Sequence, residues 1–241
     1  MYDAAPPHAV RVPTMRHRWE ALSFLHWPYP IDVVAQHLPR GLEIDAWDGM
    51  AWVGLVPFRM HVHPPMGPLV HVVPPFPETN VRTYVRGPDG RPGLWFFSLD
   101  AASAPAVAAA RTTYDLPYFH ADMSIDEDVA IRYRSSRIRP GPAGVGHDIE
   151  VVLGDELPVA TRSDFDNYLT ARYLLWNSNR GLLLETRADH PPWPLHTATA
   201  PRLTQNLLEA AGLPTPTDAP LVHYSPGVDV RISAPRPHRA D

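Results

Sequence analysis

The sequence predicts an α+β domain built around a largely antiparallel β-sheet or barrel. Three observations carry that expectation. Segments with β-type patterning outnumber helical ones roughly three to one. Strands and helices do not alternate, so no βαβ series is present. The 30 prolines in 241 residues fall between patterned segments instead of forming one linker, far above the usual ~5%.

The elements follow in order. Residues 50–62 are rich in aromatic and branched side chains, with Pro57 marking an edge or bulge. Residues 79–86 set Val81, Thr83 and Val85 against Arg82, Tyr84 and Arg86, then Gly-Pro-Asp-Gly leads into 94–100, which reads as a hairpin. Further strands are expected at 118–124, 129–138, 147–153, 182–188 and 227–233. Ser103 caps an alanine-rich helix with Pro105 in its first turn. Ser163 and Asp166 have capping-box spacing, opening a second helix. Residues 201–211 start with Pro, are followed by Gly212, and place Leu203, Leu207, Leu208 and Ala211 on one helical face. Loops are expected at 64–77, 87–93, 139–146 and 213–220.

Composition removes several function classes. The chain carries 21 basic and 26 acidic residues, for a formal charge of −5, so a nucleic-acid partner is not expected. There is no cysteine, which excludes thiolate nucleophiles, disulfides and cysteine-held clusters. Every one of the 21 basic residues is arginine. Without lysine, no side-chain amine can form a Schiff base with a carbonyl substrate. No apolar run reaches the ~18 residues needed to span a bilayer, and arginines interrupt the start of the chain. A cytoplasmic protein with no membrane partner is the expectation.

No G-x-S-x-G elbow, dinucleotide fingerprint or phosphate-binding loop occurs, and no cofactor is called for. His61 and His63 are two apart on a strand and share a face, with His71 nearby. Zinc usually takes three protein ligands, no third has recognisable spacing, and Pro64-Pro65 ends the strand. The pattern therefore reads as polar residues at a strand end, and no metal is expected. Arg59 and Arg82 sit inside otherwise apolar strands, where a guanidinium needs a partner or a polar cavity. Alternation alone leaves open whether each faces a pocket or solvent. Glu78, Asn80 and Asp100 flank the same hairpin, where a carboxylate beside an arginine can act as a base or form a structural ion pair.

The ordered motifs are His26-Trp-Pro, residues 48–60, residues 76–85, residues 93–100, Leu116-Pro-Tyr-Phe, Thr170-Ala-Arg-Tyr, Pro192-Trp-Pro-Leu and residues 223–229. Together they resemble the YqjF-like bacterial family of the acetoacetate decarboxylase-like superfamily. The resemblance runs from about residue 15 to 233. It implies one domain over 15–233, with 1–14 and 234–241 as flexible termini, and a cone-shaped, mainly antiparallel β-barrel with small flanking helices and a central pocket. It also implies a homo-oligomer. In acetoacetate decarboxylases a lysine forms the imine with the keto acid. The corresponding stretch here is Phe97-Ser-Leu-Asp100, without lysine, so that chemistry is closed to this chain.

The expected function is a small-molecule enzyme of lyase or isomerase type. It would act on a carbonyl-containing, acidic substrate by enolisation, dehydration, cyclisation or non-imine decarboxylation. Arg82 would hold the anion, Glu78 or Asp100 would move a proton, and Tyr84 would donate a hydrogen bond. Arg59, Asn80, Trp95, Phe97, Tyr114, Tyr118 and Trp176 would contact the substrate. The alternative is a non-catalytic ligand-binding or sensor barrel using the same cavity.

Overall fold

The computed structural model describes residues 2–238. In chain order the elements are β1 (Met15–Tyr29), α1 (Ile31–Ala35), β2 (Glu43–Ile44), β3 (Ala51–His63), β4 (Val73–Arg86), β5 (Pro92–Ala101), α2 (Ala104–Tyr114), β6 (Tyr118–Glu127) and β7 (Ile131–Arg139). There follow β8 (Gly146–Leu157), α3 (Asp164–Thr170), β9 (Leu174–Asn179), β10 (Leu182–Asp189), β11 (Leu195–Gln205), α4 (Leu207–Ala210), β12 (Leu221–Ile232) and β13 (Arg236–Pro237).

All these strands belong to one sheet, antiparallel except where β5 pairs with β6 and β9. The sheet closes on itself twice. One circuit runs β5-β6-β7-β8-β11-β12-β1-β3-β4 and returns to β5. The other leaves β5 through β9 and β10 and rejoins β12. Both circuits share the wall made by β12, β1, β3, β4 and β5. The closures separate because β5 pairs with β9 at Leu94 and Trp95 but with β6 at residues 99–101. Likewise β12 meets β11 near its start and β10 near its end.

The larger circuit is filled. Leu25, Val53, Leu55, Val81, Tyr133, Ile149 and Tyr224 meet there, with Leu207 and Leu208 of α4. The other face of the shared wall carries Phe24, Val56, Phe58, Met60 and Phe76 toward the smaller circuit. Two bulges set which residues go where. Relative to β3, β1 gains one residue between Glu20 and Leu25, where Ala21 adopts φ 45°. Relative to β4, β5 gains one residue at Phe97, so that Val81 opposes Ser98 while Arg82 opposes Phe96. A one-residue shift in a strand exchanges its faces.

The helix starts at Ser103 and Ser163 are as expected: Ser103 accepts from the Ala106 amide, and Ser163 with Asp166 forms a complete capping box. The helix expected over 201–211 is a correction. Residues up to Gln205 belong to β11, pairing with β8 as far as His147, and only Leu207–Ala210 is helical. Sheet pairing overrides a helical pattern of only three turns, and Leu203 reaches the same core from a strand. The loop expected over 64–77 ends sooner, because β4 begins at Val73. Its first residues pair only with β3, an edge position that tolerates Pro74, Pro75 and Pro77. Strands β1, β2, β9, β11 and β13 were not among the expected elements.

The segment before β1, expected to be flexible, makes specific contacts. Tyr2 donates to Asp45, the Val10 amide donates to Asp189, and Tyr173 donates to the Ala4 carbonyl. Of the expected flexible ends, Met1 and residues 239–241 lie outside the described residues. No described helix is long and apolar enough to cross a membrane.

A buried ion pair braces the parallel closure. Arg137 on β7 donates to both oxygens of Asp100 on β5, at 2.9 and 2.7 Å. Its guanidinium lies 3.6 Å over the ring of Phe119, on the intervening β6. Replacing Asp100 with Ala should cost about 3–5 kcal/mol, because Arg137 is left buried and unpaired; urea unfolding reads the loss. A second expectation concerns Gly227, at φ 130°, where a Cβ would sit 2.1 Å from the Trp19 carbonyl oxygen. Gly227→Ala should lower stability by more than ~1 kcal/mol, seen as a lower urea midpoint at unchanged slope.

Candidate active site

The smaller circuit encloses a cavity of about 580 Å³, within the ~300–1,000 Å³ range typical of small-molecule sites. Most of its surface is apolar: Leu22, Val56, Phe58, Met60, Phe76, Leu94, Phe96 and Trp193 line it. Along one flank α2 contributes Pro105, Ala106, Ala109, Ala110, Thr113 and Tyr114. Alternation along β4 delivers the polar groups. Glu78, Asn80 and Arg82 share the cavity face, while Val81 packs in the filled circuit and Thr79 bonds His147 of β8 at 2.8 Å. The backbones of Glu78 and Arg82 are roughly 13 Å apart at ~3.3 Å per residue.

Glu78 is 2% exposed. Its two oxygens accept from the Tyr118 hydroxyl at 3.2 Å each. Burial pushes its carboxyl up to about 8, with the nearby Asp100 adding to the rise and Tyr118 opposing it. At neutral pH this is a protonated acid in an apolar chamber. Burial drives Tyr118 well above the usual phenol range, so it remains a donor.

Arg82 is buried, and among the described residues no carboxylate pairs with it. Its Nη2 makes one long bond, 3.4 Å, to the Leu169 carbonyl, and its Nε has no partner. The rings of Phe24 and Tyr84 lie 5.2 and 5.9 Å from the cation. Arg172, also on the lining, differs: its Nη2 is 3.0 Å from Asp45 Oδ2, and Tyr2, Tyr84 and Tyr168 surround it. Arg172 thus has a carboxylate beside it, one that Arg86 also contacts at 2.9 Å, although its own nitrogens make no hydrogen bond. Arg82 has no carboxylate beside it among the described residues. Asn80 Oδ1, between Glu78 and Arg82, is also unpartnered.

Two neutral imidazoles complete the lining. His190 donates through Nδ1 to the Pro191 carbonyl at 2.8 Å, which leaves Nε2 as the basic nitrogen. Burial lowers His190 to about 4 and His17 to about 4, with His63 contributing to the latter. Acid and bases thus all stand uncharged at neutral pH, from the same cause.

Of the residues singled out in sequence, Glu78, Asn80, Arg82, Tyr114 and Tyr118 reach the cavity. Six do not line it. Asp100 is fully buried against Arg137. Arg59 turns to the opposite face of β3 and pairs with Glu127 at 2.6 Å. Tyr84 shares the face of Arg82 but lies beyond the end of the cavity, donating to the Leu169 carbonyl at 2.5 Å while His26 Nε2 approaches its oxygen at 2.6 Å. Trp95 and Phe97 point away because the bulge at Phe97 hands the cavity face to Phe96 and Leu94. Trp176 packs against Val85, where Gly87 and Gly93 leave room for its indole. His17, His190, Arg172 and Phe96 were missed. Arg172 and Trp193 lie within motifs quoted for the family resemblance, which was the available signal. Outside the cavity, His61, His63 and His71 converge, each offering a ligand atom within 4.8 Å of the others.

Comparison with known proteins agrees with this architecture. A curated relative, "Uncharacterized protein YqjF" of Bacillus subtilis (strain 168), is 35% identical over 218 residues, covering 90% of this chain and 89% of its own. Acetoacetate decarboxylase from Legionella pneumophila superposes with a TM-score of 0.63 at 14% identity, over 97% of this chain and 92% of that one. The enduracididine biosynthesis enzyme MppR, complexed with pyruvate, gives 0.61 at 14% identity, over 96% and 93%. Those identities speak to the fold, which is acetoacetate decarboxylase-like. The family described as "Uncharacterized conserved protein" (DUF2071) matches residues 16–229, and with the relative above this places the chain as a member of the DUF2071 family.

Proposed function

We propose that this protein is a lysine-independent enzyme of lyase or isomerase type acting on a carbonyl-containing carboxylic acid with an apolar body. The observation that carries the reading is Arg82: a buried guanidinium without a carboxylate partner, at the wall of an apolar cavity. A buried cation of this kind is completed by an anionic ligand. The apolar lining suits a substrate whose remaining surface is hydrocarbon. An oxo acid appears in the names of both structural neighbours, pyruvate with MppR and acetoacetate for the decarboxylase, which supports the substrate class.

The shared step is enolisation. Arg82 holds the carboxylate, Nε2 of neutral His190 takes the proton from the carbon beside the carbonyl, and protonated Glu78 gives its proton to the carbonyl oxygen. Imidazolium and carboxylate result, and the reverse transfers return them to neutrality. Tyr118 steadies the Glu78 carboxylate when it forms. The enol then accepts a proton elsewhere in isomerisation, or loses a β-hydroxyl in dehydration. No amine takes part, in keeping with a chain that has no lysine.

Hydrogen–deuterium exchange beside the carbonyl, followed by NMR over a panel of 2- and 3-oxo acids with alkyl and aryl tails, tests this directly. Wild type should exchange at least one member. Glu78→Gln should slow exchange by ~10²–10⁴, and Arg82→Gln should abolish the preference for acids over their esters. Because Glu78 works as an acid and titrates at about 8, the wild-type rate should fall above about pH 8, and Glu78→Gln should lose that limb. Unaltered exchange by Arg82→Gln removes the reading. Thermal stabilisation by an acid without exchange identifies a receptor instead.

A further inference from the structure

The cavity does not use every unusual cluster. Cross-strand pairing places Arg16 opposite His63 and Arg18 opposite His61, so these four share the face of the wall turned away from the cavity. The loop after β3 then doubles back: the Val72 amide bonds the Val62 carbonyl at 2.9 Å, returning His71 beside His61. The separation between His61 Nδ1 and His71 Nε2 is 3.1 Å. Two nitrogens on one tetrahedral zinc, at ~2.0–2.1 Å each, would lie about 3.3 Å apart.

The outer partners fix two of the three rings. His61 gives its Nε2 proton to Glu20 Oε2 at 2.9 Å, leaving Nδ1 as the lone pair toward His71. His63 donates from Nδ1 to the Val70 carbonyl at 3.1 Å, leaving Nε2 as its lone pair. A carboxylate or carbonyl behind each imidazole is how metal-binding histidines are oriented. The neighbouring cations are engaged. Arg16 donates to the Pro64 and Gly67 carbonyls of the same loop, and Arg18 pairs with Glu20 and Asp229.

We propose that His61, His63 and His71 bind one divalent transition metal of the zinc class, with a fourth position open on the exposed His71 side. Three imidazoles favour zinc, cobalt or nickel over magnesium or calcium. The ion would clip the 64–72 loop to the end of β3. Val72, adjacent to His71, lines the cavity, so the clip would also hold that part of the cavity wall.

The test uses the full chain, made without a histidine tag and stripped by a chelator. Zinc titration should saturate at one equivalent per chain, and cobalt should give the intense visible bands of a four-coordinate site. His71→Ala and His61→Ala should each lose more affinity than the ~10–100-fold expected for the positioning variant Glu20→Gln. His196→Ala should bind as wild type does. Metal-free His71→Ala should melt like metal-free wild type, since that side chain is exposed. Zinc should slow proteolysis within 64–72 in wild type only. Failure to reach one equivalent, or equal affinity in His71→Ala, overturns the proposal.

Discussion

Burial of one sheet on both faces is the constraint from which the rest of this molecule follows. Strands β1, β3, β4 and β5 stand between two closed circuits, so along their central stretches alternate side chains enter either the filled core or the chamber. Midway along such a strand a polar residue has no route to bulk water, whereas at the strand ends Arg18 and Arg86 reach it. Thr79 finds His147, Arg137 finds Asp100, and Ser23 meets Tyr133 at 2.9 Å. Arg82 and Asn80 find no equivalent partner. Other buried polar atoms also lack partners, Ser98 Oγ and Thr186 Oγ1 among them; what marks the site is that Arg82 and Asn80 stand side by side on the chamber face.

The electrostatics of the chamber follow from the same burial. Desolvation raises an acid and lowers an imidazole, so Glu78 and the pair His17 and His190 all settle toward their neutral forms. Arginine is the exception, because it remains protonated in any protein environment. Arg172 is stabilised by Asp45 and three tyrosine rings. Among the described residues, Arg82 is the buried arginine with no carboxylate beside it, set among neutral donors and acceptors, an arrangement suited to binding an anion and moving protons around it.

Much of this was legible in sequence, and the rest failed for identifiable reasons. The alternation of Arg82, Tyr84 and Arg86 against Val81, Thr83 and Val85, with Glu78 and Asn80 flanking the same hairpin, pointed to β4. It did not reveal that both faces are interior, since a half-buried strand has the same pattern. Trp95 and Phe97 were misassigned because a bulge of one residue leaves no mark in periodicity. Asp100 was plausible until its partner was known, and Arg137 lies 37 residues away in another strand. The grouping of His71 with His61 and His63 depends on a loop closure that spacing alone does not show. Helix 201–211 failed because pairing with β8 supplies more than its short apolar stripe would. The capping signals at Ser103 and Ser163 held because they act locally.

The face that α2 turns to the chamber carries alanines at 106, 109 and 110. A methyl group is the smallest side chain that still favours a helix, so between Pro105 and Thr113 this flank presents only methyl groups to the space. Capacity there is governed by a segment outside the sheet, and enlarging one of those methyls would narrow the space without disturbing any strand register. Descendants of this scaffold can therefore be retuned from roomy to restrictive on one helix, while the charged wall opposite keeps its chemistry.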